Sequence, residues 1–253
     1  MSDIAVMTTS CWRPYYLERT LGSWATARGV EQVKTFVVGL GDSPRRDEAL
    51  EVIRKFKDKV PGEVRVLLDN GKVGPWRAIA TTGNAVFEDP GINFMIVVDE
   101  DTFVADDVLE LLLWERALCE DNEKVLLVNA HSRGTQGWDG PSVKDDPDAD
   151  PAVVRLQCYF NQWGWATWRR QWEEVLIPDW DYDGTSGAPD KSGHDWNIAL
   201  RTMQGYLAAV PDASRTQHIG DREGMFSNAS TLAWSKAASF RPHREPVEFR
   251  LEP

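Results

Sequence analysis

Cysteine is scarce in this 253-residue chain. Cys11, Cys119 and Cys158 are odd in number, widely spaced and without a CxxC pair or metal-ligand spacing. This speaks against a disulfide framework or a cysteine metal site and for a reducing compartment. No apolar run approaches the ~20 residues that a membrane-spanning helix needs. The amino-terminal Met1-Ser2-Asp3 has neither a basic region nor a long apolar stretch, so no signal peptide is visible. The expected location is cytoplasmic. Basic residues are also few: 28 Lys and Arg face 40 Asp and Glu, and the net charge is −12. Nucleic acid, whose phosphates demand a basic face, is a poor partner for such a chain. Two phosphate-binding signatures are missing as well. Gly39-Leu40-Gly41 lacks the third glycine and helix start of a dinucleotide fingerprint, and no GxxxxGK[ST] loop occurs. There are no internal repeats.

What is present is ordinary in amount, with 42% hydrophobic and 27% charged residues, enough for one large core or two that share a face. The most informative stretch is Phe94-Met95-Ile96-Val97-Val98, followed at once by Asp99-Glu100-Asp101. Five apolar residues, rich in β-branched types, suit a strand covered on both faces. Ligands of open α/β sheets bind beyond the carboxyl ends of such strands. Three adjacent acids there repel one another and lose hydration, so they call for a cation. Hard carboxylate oxygens suit Mg²⁺ or Mn²⁺, which also hold a diphosphate. Asp106, just beyond, suits the cap of the next helix, but capping does not explain the triplet.

Strand and helix patterns alternate through the first half. Strands are expected at 4–8, 33–40, 64–68, 93–98 and 125–129, with helices at 14–27, 45–57, 76–87 and 106–119. Tyr15, Leu17, Leu21 and Trp24 suit one face of the first helix. This alternation implies parallel strands with right-handed crossovers. Residues 131–151 read as a long loop. The second half holds an alternating run at 153–160, a tryptophan cluster (Trp163, Trp165, Trp168, Trp172, Trp180 and Trp196), an acidic loop at 178–193, a helix at 195–204 and a strand at 206–210. Beyond Trp234 the chain is basic and proline-bearing, as a surface tail would be. Core packing accounts for most of the twelve tryptophans, although such rings also stack on sugars.

Several of these segments, in this order, resemble glycosyltransferases of the GT-A fold. They are most similar to N-acetylglucosaminyltransferase I and to soluble bacterial glycosyltransferases. The resemblance rests on Lys72-Val73-Gly74 with its following helix, the Asp99-Glu100-Asp101 strand end, Gly164-Trp165, His194-Asp195-Trp196 and Ser214-Arg215-Thr216. The run Trp163-Gly164-Trp165-Ala166-Thr167-Trp168 is like the bacterial enzymes. The chain departs from the Golgi enzyme in reading Asp-Glu-Asp for Glu-Asp-Asp and in placing His194 where that enzyme has an acid.

The resemblance implies an α/β GT-A domain over residues 1–253. A Rossmann-like nucleotide-sugar-binding half (1–130), with a mixed central sheet, is fused to an acceptor half (131–235) and a tail (236–253). It implies a metal-dependent, inverting transfer from a nucleotide-diphosphate sugar, a UDP-sugar being favoured, to an acceptor hydroxyl. Asp101 would hold Mn²⁺ or Mg²⁺, with His218 as a further ligand. Asp99 would hold ribose or water-bound metal, and Glu100 would orient neighbours from the opposite face. Asp195 would act as general base, its pKa raised by partial burial under Trp196, or would simply stand at a helix start. Thr9, Arg13 and Asp42 would edge the base and ribose pocket. Lys72 would meet phosphate, Arg215 would either reach phosphate or form a structural salt bridge, and Trp165, His194 and Trp196 would line the acceptor or sugar pocket.

Three other readings stay open. A sugar nucleotidyltransferase would usually show a glycine-rich loop with Arg and Lys after the first strand, and residues 9–14 lack it. A non-catalytic carbohydrate-binding protein would use the tryptophans as platforms. Asp179, Asp181, Asp183, Gly184 and Asp190 fit an EF-hand loop except at its last position, but Pro178 and Gly193 argue against flanking helices.

Overall fold

A computed structural model describes residues 2–68, 74–132, 148–158, 161–178, 180–181, 194–221, 240, 243 and 245–252, the side chains of 194–196 and 199 excepted. The amino-terminal part alternates as expected: β1 (Ile4–Ser10), α1 (Pro14–Thr26), β2 (Val33–Leu40), α2 (Arg46–Lys57), β3 (Glu63–Leu68), α3 (Pro75–Phe87) and β4 (Phe94–Asp99). Proline opens both α1 and α3, where its missing N–H costs nothing and its fixed φ suits the first turn. Then follow β5 (Thr102–Val104), α4 (Val108–Cys119), β6 (Val125–Asn129), β7 (Val153–Gln157) and β8 (Trp165–Trp168). A one-turn α5 (Arg169–Gln171) runs into a π-helical turn, Trp172–Leu176. The remaining elements are α6 (His194–Met203), β9 (Leu207–Pro211), β10 (Thr216–His218) and β11 (Arg250–Glu252).

Nine strands form one sheet in the order β11-β7-β9-β6-β8-β4-β1-β2-β3, and β5 and β10 form a separate two-stranded sheet. The run β4-β1-β2-β3 is parallel throughout. β8 is antiparallel to both β4 and β6. Residues alternate between the two faces, as a pleated strand requires. In β1, Ile4 and Val6 join a core with Leu21, Trp24, Leu109 and Leu112 of α1 and α4. Ala5 and Met7 join the other, with Ile79 and Val86 of α3, Trp165, Trp172 and Ile198. β4 is buried on both faces, which is why it reads as an unbroken apolar run.

Four details differ from the sequence reading. Trp165–Trp168 was expected only as a cluster, yet it is a central strand, filling the slot between β4 and β6. Tyr15 points outward at 60% exposure, and Tyr16 takes the buried place in α1. Asp107, not Asp106, stands at the N-cap of α4, and its carboxylate makes no cap bond. The carboxyl-terminal tail is partly structural: β11 adds to the sheet edge beside β7, and Phe249 packs on Trp114. Among the described residues, no helix is long and apolar enough to cross a membrane.

Candidate active site

The acid triplet begins at the last residue of β4, at the carboxyl end of the parallel strands. Thr9 pairs with Asp99 across the β1–β4 ladder, so both sit on the face that carries α3. Glu100 turns the other way. Its backbone carbonyl accepts from Thr20 Oγ1 of α1 at 2.7 Å, and its carboxylate accepts the backbone N–H of Cys11 at 3.1 Å. Arg13 is turned inward over the triplet. Its Nε lies 2.5 Å from Glu100 Oε1 and its Nη2 2.8 Å from Asp101 Oδ2. The buried Nη1 has no hydrogen-bond partner.

His218 reaches this cluster through the small second sheet. β10 pairs antiparallel with β5, setting His218 opposite Thr102. The backbone N–H of Ile219 donates to the Asp101 carbonyl at 2.8 Å. His218 Nε2 then lies 3.3 Å from Asp101 Oδ2, and its Nδ1 is buried without a partner. Gly220, after Ile219, leaves room for the cluster: a Cβ there would stand 2.2 Å from Asp101 Oδ2 and 3.1 Å from Arg13 Nη1, so a side chain would displace the carboxylate. Asp221 accepts a hydrogen bond from Tyr16 of α1, tying this segment down.

Among the described residues, charge in the cluster is unbalanced, with three carboxylates facing one guanidinium. Burial, followed by the Asp101 charge, pushes the Asp99 carboxyl up to about 7. Burial also raises Glu100, opposed by Arg13. For Asp101, burial works against ionisation, yet the His218 contact and Arg13 together hold it below the usual carboxylate range.

The donor set suits a divalent cation. Cis ligands of an octahedral ion with bonds of ~2.1 Å stand about 3 Å apart, close to the 3.3 Å between Asp101 Oδ2 and His218 Nε2. A carboxylate with an imidazole is a donor pair that Mn²⁺ accepts. Among the described residues there is no assembled group of three or more ligating side chains, so water and substrate oxygens would complete the shell. That is the usual mode for an ion that bridges to phosphate.

Other expected site residues fall in different places. Asp42 follows β2 on the same sheet edge, exposed and paired with Arg46 at 3.2 Å. Its backbone carbonyl lies 3.8 Å from Cys11 Sγ. Arg215 is a correction to the phosphate role: it is fully buried, 2.6 Å from Asp107 Oδ2, and donates to the carbonyls of Ala213 and Pro151. Trp165 is a second correction, because it is fully buried and stacked on Trp172 with centroids 6.5 Å apart, so it cannot face a sugar. Lys72 lies outside the described residues, as do the side chains of His194, Asp195 and Trp196 and nearly all of the EF-hand-like loop. The helix itself begins at His194, which puts Asp195 inside its first turn.

Sequence reasoning missed Trp163, Tyr16 and Gly220. Trp163 is buried and stacks on His218. No periodicity marks it; its neighbour Gly164, with φ of +98°, was the available signal.

No family model matches the chain, and no curated protein does. Solved structures do match it. S. aureus TarS residues 1–349 has a TM-score of 0.53 at 15% identity, over 85% of this chain and 60% of that one. The same fragment in complex with UDP-GlcNAc gives 0.51 at 15% identity, over 88% and 62%. The mannosyltransferase PcManGT from Pyrobaculum calidifontis, in complex with GDP-Man and Mn²⁺, gives 0.50 at 16% identity, over 84% and 57%. The chain thus spans less than two thirds of the length of each.

These matches correct the fold assignment expected from sequence. The GT-A class and the resemblance to N-acetylglucosaminyltransferase I are not carried further. The architecture, a nine-stranded sheet accompanied by a separate two-stranded one, takes its assignment from TarS and PcManGT.

Proposed function

We propose that the protein is a metal-dependent glycosyltransferase that moves a sugar from a nucleotide-diphosphate donor, a UDP-sugar being favoured, to an acceptor hydroxyl. The observation that carries this reading is the overloaded acid cluster at the carboxyl edge of β4, with His218 beside Asp101. The nucleotide sugars and Mn²⁺ named for the matched structures agree with it.

Asp101 and His218 would hold Mn²⁺ or Mg²⁺, whose charge would stabilise the departing diphosphate. Thr9 and Asp42, at the ends of β1 and β2, are suited to edge the nucleoside pocket. Asp99 is the direct ladder partner of Thr9 and faces the same side. Arg13 keeps Glu100 in place and holds a spare N–H for an anionic oxygen. Asp195, in the first turn of α6, is the proposed base that takes the acceptor proton, with inversion at the anomeric carbon. A reducing, cytoplasmic setting is proposed with it, in keeping with cysteines that form no disulfide with one another.

Calorimetric titration of UDP and of GDP, with and without Mn²⁺, tests the reading in wild type and Asp101→Asn. The expected result is Mn²⁺-dependent nucleotide binding, weakened at least tenfold in the variant. Binding that ignores both metal and variant would remove the acid cluster from the reaction.

A further inference from the structure

We propose that Trp163 is a positioning residue for the cation site, acting through His218; this rests on the glycosyltransferase reading above. A metal-bound histidine is ordinarily fixed by a hydrogen bond from its second ring nitrogen. His218 has no such bond, because its Nδ1 is buried and unpartnered. The ring plane is set by stacking instead. The Trp163 and His218 centroids are 4.8 Å apart with planes 29° from parallel.

Trp163 is itself held on several sides. Its backbone N–H donates to Asn161 Oδ1 at 2.8 Å, and its carbonyl accepts from Thr216 Oγ1 at 2.5 Å. His131 meets it edge-on at 5.2 Å and 80°, and that imidazole is 3.2 Å from the same Thr216 hydroxyl. The missing side chain of Gly164 lets β10 close in, since a Cβ there would stand 2.6 Å from Thr216 Cγ2. Thr216 and His218 are alternate residues of β10, so one face of that strand carries both the clamp on Trp163 and the ring that Trp163 orients. An electron-rich indole over the imidazole also favours a cation bound to that ring.

The test is Mn²⁺ affinity without nucleotide, by titration calorimetry or by the loss of free-ion electron paramagnetic resonance signal. Trp163→Leu and Trp163→Met keep apolar volume but remove the flat face; Trp163→Phe keeps a ring. The Leu and Met variants are expected to bind Mn²⁺ roughly 10- to 100-fold more weakly, the range for loss of an orienting partner. The Phe variant should recover most of that loss. In a His218→Ala background, replacing Trp163 should weaken binding no further, which a merely structural tryptophan would not obey. Wild-type affinity in either the Leu or the Met variant would overturn the positioning role and leave the proposed function standing. Equal losses with and without His218 would overturn it too. A folded wild type that binds no Mn²⁺, either alone or with UDP or GDP present, overturns both this inference and the metal-dependent reading beneath it.

Discussion

Among the described residues, fully buried Arg215 and half-buried Arg13 both meet carboxylates, and the difference between them separates scaffold from site. Arg215 is fully enclosed with Asp107, and two backbone carbonyls take further donors. A second acid lies near it: Glu115 is fully buried, and burial raises its pKa well above the ordinary glutamate value, against the opposing charge of Arg215. Held neutral, it leaves one cation facing one anion. Arg13 faces three carboxylates at the sheet edge, with Asp101 held ionised. The first cluster is balanced in charge, although both Glu115 oxygens lack a hydrogen-bond partner. Among the described residues, the second retains surplus negative charge, an orphaned guanidinium N–H and an orphaned imidazole nitrogen, groups that a cation and an anionic ligand would satisfy.

The largest effect should come from breaking the balanced pair. Arg215→Ala strands Asp107 in the interior, and loss of one partner of a buried pair costs about 3–5 kcal/mol. For a chain of this size that is a fall in Tm of roughly 6–20 °C. Mn²⁺ should return none of it. A thermal melt with and without the ion checks both statements; a melt unchanged by the substitution would show that the pair is not needed for the fold.

The neutral acid beside that pair gives the next effect, and its sign follows from linkage. A carboxyl whose folded pKa is raised contributes its full stability below the unfolded value, 4.5 for glutamate, and loses it as pH rises toward the folded value. Glu115→Gln removes this loss. The variant should match wild type below about pH 4.5 and become increasingly more stable above it, by at most about 1.4 kcal/mol per pH unit. Urea titrations at several pH values measure the gap; a constant gap would mean that Glu115 ionises normally.

How much of this was legible in the sequence depends on whether the signal is local. The β4 run and its acids could be read directly, because burial on both faces leaves an uninterrupted apolar stretch and the acids cannot continue it. Pro14 and Pro75 marked helix starts for equally local reasons. Trp165–Trp168 did not announce itself as a strand, since four residues with two tryptophans carry no clear period. Its role comes from pairing with β4 and β6 on either side. For Arg215 the resemblance offered phosphate and the residue type a structural salt bridge, and only the fold, by setting Asp107 against it, decides for the salt bridge. His218 sits at the acid cluster only because β10 pairs with β5, a long-range contact that no spacing encodes. Gly220 shows the same limit, since the room it leaves is for Asp101 and Arg13, both distant in the chain.

The smallest effect sharpens the comparison most, because it makes the two arginines diverge in sign. Arg13→Gln removes the one guanidinium at the acid triplet but leaves the site beside water and His218, so the surplus carboxylates can take up protons. The metal-free variant should therefore lose only about 1 kcal/mol, a Tm shift of roughly 2–4 °C. Arg13 Nη2 lies on Asp101 Oδ2, the same oxygen that His218 approaches, and so competes with an incoming cation. Without it, Mn²⁺ should bind more tightly and stabilise the folded state more than in wild type, since a ligand at 100 times its Kd adds about 2.7 kcal/mol. Melts of both proteins across a Mn²⁺ series would show the curves crossing, with the variant below wild type without metal and level or above it at saturation. Parallel curves would mean that Arg13 and the cation do not share Asp101, and the contrast between the two arginines would reduce to depth of burial.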